Sequence, residues 1–227
     1  MGPETITAVM FDFHRTLVDG GDAHTSLNAA WARAGRGGSP LAALGAERCE
    51  ALARRVYRLW VDVRQVDPDN ERDLSSRRHR EIFGELMAPL PDMDEALAQG
   101  FYDVMPDMWM PYQDSLPTLQ ALKGRGVRLA VVSNVARDVR PVLARAELLD
   151  LFDAVILSFE VGAVKPHAPI FRKALEALGV APGNALMVGD NPFDDAGAAL
   201  LGVRTLLLPR TEGPIHGLEA VVRIAGA

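Results

Sequence analysis

The sequence predicts an α/β fold: a parallel sheet with helices on both faces, split by an inserted block of helices. Three observations lead to it. Short apolar runs such as Ala8–Phe11 stop abruptly at polar residues, as strands buried on both faces do. From about Pro111 onward such runs alternate with helical segments. Between about His24 and Tyr112 the apolar residues recur at helical spacing, and no convincing strand is found.

Taken in order, Thr5–Phe13 (TITAVMFDF) reads as the first strand, and Asp19-Gly-Gly-Asp breaks the pattern after it. Leu52, Val56, Leu59, Trp60 and Val63 mark a helix, with Arg54, Arg55, Arg58 and Arg64 largely around its other faces. Pro68-Asp-Asn interrupts. A second helix is expected over about 71–87, where Pro89 and Pro91 break it, and a third over about 93–105. Past Pro111, a helix over 116–123 is closed by Gly124 and Gly126, and Val127–Ser133 is a strand. A helix over 139–148 follows, with Asp138 as its cap and Pro141 in its first turn. Ala154–Ser158 is a strand, and Pro169–Leu178 a helix stopped by Gly179. Ala185–Gly189 is a strand, Asp195–Leu201 a helix, Val203–Leu208 a strand and 217–225 a closing helix. The expected division is a core of residues 1–19 and 112–227 with a helical domain of 20–111.

Composition narrows the function classes. A chain of 227 residues, 48% hydrophobic, can bury a core without staples. The formal net charge of −6 argues against a nucleic-acid partner. No run approaches the roughly 18 apolar residues of a membrane helix, and the first apolar run is short and meets Asp12, unlike a secretory leader. The expected location is the cytoplasm, with no membrane partner. The one cysteine, Cys49, allows neither an internal disulfide nor zinc-ligand spacing, and reads as a half-buried helix residue. Oligomeric state leaves no trace in the sequence.

In an open parallel sheet, ligands bind beyond the carboxyl ends of the strands. The residues expected there are Asp12, Ser133-Asn134 and Gly189-Asp190, with Lys165-Pro166 in a nearby loop. Two carboxylates brought together repel unless a cation lies between them. Oxygen ligands of this kind suit Mg²⁺. A hydroxyl, backbone amides and an ammonium can hold phosphoryl oxygens, and a carboxylate can attack to form a covalent intermediate.

These positions form a series of motifs. Asp12-Phe-His-Arg-Thr16-Leu, Val-Val-Ser133-Asn134, Gly162-Ala-Val-Lys165-Pro166 and Val188-Gly189-Asp190-Asn-Pro-Phe-Asp194-Asp195 resemble, in order and spacing, the motifs of the haloacid dehalogenase-like hydrolases. The insert lies where the helical-cap phosphatase subgroup carries its cap. The resemblance implies a Rossmann-like core, Mg²⁺ as cofactor and a small phosphate ester as substrate. It implies Asp12 as nucleophile, with Asp12, the backbone carbonyl of His14 and Asp190 as metal ligands. Ser133 and the amide of Asn134 would bind phosphoryl oxygens, and Lys165 would offset negative charge. Asp195, rather than the helix-capping candidate Asp194, would orient Lys165 or a metal-bound water. Thr16 would support the turn. The helical block would move as a lid, with hinges at Asp19–Asp22 and Pro111–Asp114.

The first motif departs from the usual Asp-x-Asp-x-Thr. His14 stands where the acid–base aspartate is expected, and Arg15 where a glycine often follows. An unperturbed histidine is about one-quarter protonated at pH 7. His14 would serve as an acid–base group or supply only its backbone carbonyl. Arg15 would reach the substrate, or lie in solvent or on the cap. His79, in Arg77-Arg78-His79-Arg80, reads as part of a solvated basic helix face. Trp31, Trp60 and Trp109 read as cap core or interface. Two alternatives to a phosphatase stand. One is a 2-haloacid dehalogenase, although those enzymes usually lack the Asp190 equivalent and carry tyrosine at position 14. The other is a catalytically degenerate member that binds a metabolite or partner.

Overall fold

The structure, a computed structural model, describes residues 5–59, 63–211 and 213–225. Strands in chain order are β1 (Ala8–Phe11), β2 (Val18–Asp19), β3 (Met110–Pro111), β4 (Arg128–Ser133), β5 (Ala154–Leu157), β6 (Ala185–Gly189) and β7 (Arg204–Leu207). Five of them form one sheet in the order β5-β4-β1-β6-β7, and every pair is parallel. Strand β1 is central. Its Phe11 is level with Val131 of β4 and Val188 of β6. Asp12, one residue on, therefore emerges between the ends of β4 and β6, and its amide donates to the Val188 carbonyl at 2.8 Å.

The continuously apolar strands follow from burial on both faces. Ala8, Met10, Ala130, Val132, Ala185 and Met187 pack on helix α9 (Ala168–Leu178) through Ile170, Phe171, Ala174, Leu175 and Leu178. The alternate residues Val9, Phe11, Leu129, Val131, Leu186 and Val188 are no more than 2% exposed. Neither face is left to water, so no polar alternation is needed.

Residue contacts divide the chain into two units, 1–19 with 111–227, and 20–110. Pro111, expected in the helical part, groups with the core. Within the helical unit the helices are α1 (Ala23–Arg33), α2 (Pro40–Leu44), α3 (Ala46–Tyr57), α4 (Ser76–Met87) and α5 (Glu95–Met108). The apolar core of this unit joins Leu27 and Trp31 of α1, Cys49 and Leu52 of α3, Phe83 and Met87 of α4, and Leu97, Phe101 and Tyr102 of α5. Cys49, expected half-buried, is 4% exposed. Trp31 and Trp109 are buried, while Trp60 lies outside the described residues.

Several expected elements have different limits, mostly because of capping. Helix α3 ends at Tyr57, so Leu59 and Val63, although buried, lie beyond it. The helix expected over 71–87 is a 3₁₀ turn, Glu71–Leu74, followed by α4, and the break is at Ser75, whose hydroxyl accepts the Arg78 amide. Helix α5 starts after Asp94, which accepts the Leu97 amide at 2.9 Å, and it passes through Pro106. The helices α1, capped by Asp22, and α2, capped by Ser39, were not individually evident in the sequence. His79 is the clearest correction. It is buried, not on a solvated face, and its Nδ1 lies 3.2 Å from the Tyr102 hydroxyl.

In the core, α6 (Ser115–Gly124) and α10 (Glu219–Ile224) fall where helices are expected, and α7 shortens to Arg140–Arg145, with Asp138 accepting the Arg140 amide. Ser158 opens a short helix, α8 (Ser158–Val161), instead of ending β5, and Asp195–Leu201 is 3₁₀ rather than α-helical. The segment after Pro111 is not loose. Tyr112 donates its amide and Ser115 its hydroxyl to the Leu17 carbonyl, at 3.1 and 2.7 Å. The Asp114 carboxylate accepts the amides of His216, Gly217 and Leu218 at 2.7–3.0 Å. Tyr112–Asp114, expected to act as part of a hinge, is thus tied into the core unit.

Candidate active site

The site begins where β1 stops. The Phe13 carbonyl accepts the amides of Leu17 at 2.9 Å and Val18 at 3.1 Å, and the Arg15 amide donates to Val18, curling residues 13–18 into a tight loop. Arg15 sits at φ +67°, in the left-handed region. That conformation costs a residue with a side chain about 1–2 kcal/mol, which explains why a glycine suits this position. Arg15 itself is half-buried. Thr16 is fully buried and its hydroxyl lies 3.4 Å from Asp12 Oδ2, a long contact that leans on the carboxylate.

Lys165 organises the centre. Its side chain is 2% exposed, and Nζ donates to Asp12 Oδ1 and Asp195 Oδ1, each at 2.6 Å. Its backbone is gripped by Asn134, whose side-chain oxygen accepts the Lys165 amide at 2.7 Å and whose side-chain nitrogen donates to the Lys165 carbonyl at 3.0 Å. The Asn134 side chain is therefore committed to holding the lysine loop. Only its backbone amide is left for the anion-binding part expected of it. Ser133, the last residue of β4, is buried at the same sheet edge.

Two glycines allow this packing by close approach. A Cβ on Gly189 would fall 2.0 Å from Asp195 Oδ2, so the carboxylate lies directly over the end of β6. A Cβ on Gly197 would fall 2.5 Å from the Pro166 carbonyl oxygen, so only glycine lets the lysine loop rest on the 3₁₀ turn. Asp195 Oδ2 also accepts the Asn191 amide at 2.9 Å. Asp194, expected to cap the helix that follows, stands at the start of the 3₁₀ turn without a side-chain cap bond, and its carboxylate takes the side-chain amide of Asn191.

Asp12, Asp190 and Asp195 each present a carboxylate oxygen, and these atoms lie within 4.8 Å of one another. Asp12 and Asp190, expected to share one site, both lie in this group, with Asp195 as a third member. The His14 imidazole is not part of this group. Burial raises the pKa of all three carboxyls, Asp195 to about 6, because a charge in low dielectric is disfavoured and the neighbouring carboxylates repel. Burial alone would depress the Lys165 ammonium, but Asp12 and Asp195 outweigh it and hold its pKa above the usual lysine value. Asp190 pairs with Arg210, Nε to Oδ2 at 2.5 Å. A buried set of oxygen donors, more acidic groups than lysine can neutralise, has the chemistry of a hard divalent cation site.

His14, half-buried, differs from the one-quarter protonation of a free histidine. Burial, with Arg15 and Arg210 nearby, lowers its pKa to about 3. The imidazole is neutral at pH 7. Arg210 was not singled out from the sequence. It lies beyond β7, and only the fold brings it to the end of β6, where the Leu208 amide donates to the Gly189 carbonyl at 2.9 Å.

Comparison with known proteins agrees with this construction. The family model described as haloacid dehalogenase-like hydrolase matches residues 6–202. Over 190 residues the chain is 35% identical to a phosphoserine phosphatase from Thermus thermophilus, covering 82% of the chain but 65% of that protein's length. Among solved structures it is similar to a HAD phosphatase from Thermococcus onnurineus, with a TM-score of 0.64 and 26% identity, over 97% of this chain and 98% of the other. It is also similar to the L-2-haloacid dehalogenase of Xanthobacter autotrophicus, with a TM-score of 0.66 and 28% identity, over 96% and 81% of the two chains. With its four motifs meeting at one sheet edge, the chain belongs to the haloacid dehalogenase-like hydrolases.

Proposed function

We propose that the protein is a Mg²⁺-dependent phosphatase that hydrolyses a small phosphorylated metabolite through an aspartyl-phosphate on Asp12. The observation that carries this reading is the shared cluster: Asp12, Asp190 and Asp195 within 4.8 Å, with Lys165 donating to two of them. Asp12, Asp190 and the His14 carbonyl would hold Mg²⁺, and Asp195 stands close enough to join through water. When bound, the cation draws charge from the phosphoryl oxygens and orients them.

The chain's own residues do the rest. Lys165 fixes the Asp12 carboxylate and balances charge as oxygen–phosphorus bonding develops. Ser133 Oγ and the Asn134 backbone amide bind the other phosphoryl oxygens. An Asp12 carboxylate oxygen attacks phosphorus, the bond to the ester oxygen breaks, and the departing alkoxide takes a proton from solvent. With a pKa of about 3 the His14 imidazole is a weak base, so the water that then attacks the aspartyl-phosphate passes its proton to solvent. Inorganic phosphate leaves and Asp12 is restored. The helical unit serves as the cap in this reading.

The test is phosphate release from a panel of metabolite phosphates, with Mg²⁺ or with EDTA. Release that needs Mg²⁺ and falls by at least about a thousandfold in Asp12→Asn is the expected result. The dehalogenase likeness supplies the competing outcome: halide release from a 2-haloacid without metal would replace this reading.

A further inference from the structure

We infer that Arg210 is an exchangeable counter-ion for the cation site: it neutralises Asp190 until a divalent cation takes that carboxylate, and so sets how tightly the cation binds. This rests on the metal-dependent reading above.

Charge distribution leads to it. Lys165 serves Asp12 and Asp195 through hydrogen bonds of 2.6 Å each, and Asp190 is served instead by Arg210 Nε at 2.5 Å. The two partners differ in freedom. The Asp190 side chain is 4% exposed and held at the end of β6, whereas the Arg210 side chain is 49% exposed. A guanidinium half in water can swing out at little desolvation cost, but the carboxylate cannot follow it. Arg210 follows β7 in a stretch without helix or strand, a tether that permits such movement. A cation and a guanidinium repel, and they compete for the same oxygens. Because arginine keeps its charge at every working pH, the competition is constant and sets the affinity rather than switching it.

The chemistry separates this from a purely structural pair. If Arg210 only oriented Asp190, its removal would weaken cation binding. If it competes, removal strengthens binding. The displacement of one ion pair whose arginine is half in water sets the scale at about fivefold.

Calorimetric titration of the full chain with MgCl₂ decides between them. Arg210→Gln is expected to bind Mg²⁺ about fivefold more tightly than the unaltered protein. Arg210→Lys, which keeps the charge, should stay close to it. Arg223→Gln, an equal change of net charge at a residue paired with Glu219 on α10, should leave affinity unchanged. Equal or weaker binding by Arg210→Gln, or the same gain in Arg223→Gln, overturns the proposal. A second reading comes from the ¹H–¹⁵N signal of Arg210 Nε, assigned by its loss in Arg210→Gln. It should move to the position of a solvated arginine as Mg²⁺ saturates, and a signal that stays in place also overturns the proposal. Absence of Mg²⁺ binding in every variant removes the cation reading itself, and the inference with it.

Discussion

Lys165→Met tests the electrostatic account of the site most directly. Methionine keeps the unbranched apolar stem but removes the ammonium that donates at 2.6 Å to both Asp12 and Asp195, in surroundings where the lysine side chain is 2% exposed. Breaking a buried ion pair costs about 3–5 kcal/mol, because a charge is left without compensation. That cost depends on pH. Asp195 has a pKa raised to about 6 even with the lysine present, and Asp12 is raised as well. Without the ammonium, which lowers both, they rise further. A carboxyl with a folded pKa above its unfolded value binds protons more readily when folded, so stability falls as pH climbs from the unfolded to the folded pKa. In the variant Asp195 is largely protonated at pH 5 and must ionise beside Asp12 at pH 8. The deficit relative to the unaltered protein is expected to be about 1 kcal/mol at pH 5 and about 3–5 kcal/mol at pH 8. For a chain of this size, that is a melting-temperature gap of about 2–4 °C widening to roughly 6–20 °C. Thermal unfolding followed by circular dichroism in EDTA measures it. An identical gap at the two pH values would refute the reasoning and leave Lys165 as a packing element.

Two further outcomes follow from the same geometry. In Gly189→Ala the new methyl group would meet Asp195 Oδ2 at 2.0 Å, so the carboxylate must leave its place beside Lys165. A displacement on the order of 1 Å is expected to slow phosphate release by about a hundredfold, with helical content unchanged by circular dichroism, and full turnover would contradict the packing argument. His14, at about 3, has a folded pKa below the unfolded 6.5, so its stabilising contribution is complete above pH 6.5 and declines as pH falls toward 3. It has no proton to give at neutral pH. Aryl phosphates with acidic leaving groups are expected to turn over about a hundredfold faster than alkyl phosphates, and His14→Asp should narrow that ratio by at least about tenfold. A ratio unmoved by the substitution would count against the proton inventory.

The strand ends were legible because a parallel strand covered on both faces is an apolar run that stops where water or chemistry begins. Phe11 gives way to Asp12 and Gly189 to Asp190, and both transitions lie within one sheet edge. The helical unit was legible as a class, but not helix by helix. Capping by Asp22, Ser39, Ser75 and Asp94 defines its starts, and each is a single polar residue among many. His79 was misplaced because its neighbours Arg77, Arg78 and Arg80 suggest solvent, whereas the pitch of α4 turns it toward Tyr102. The side-chain role of Asn134 and the place of Arg210 carry no local signal. Asn134 uses its side chain on a backbone segment that is distant in sequence, and Arg210 is an exposed arginine whose partner is set by the meeting of β6 and β7.

Positions 14, 15 and 210 act in one direction. Compared with the Asp-x-Asp-x-Thr pattern that the first motif resembles, residue 14 has lost a carboxylate and residue 15 has gained a guanidinium. Arg210 brings another to Asp190, and both arginines lower the His14 pKa. Arg210 makes the surroundings of Asp190 more positive, and the changes at 14 and 15 do the same for the loop after β1. For a cation this is unfavourable, since it meets fewer anionic donors and a competing guanidinium. For a phosphoryl group, which arrives with negative charge, the same differences are favourable. On the proposed reading, binding energy has therefore moved from the metal toward the anion. The two should bind cooperatively, because the anion supplies the negative charge that residue 14 no longer provides, and the linkage between them is reciprocal.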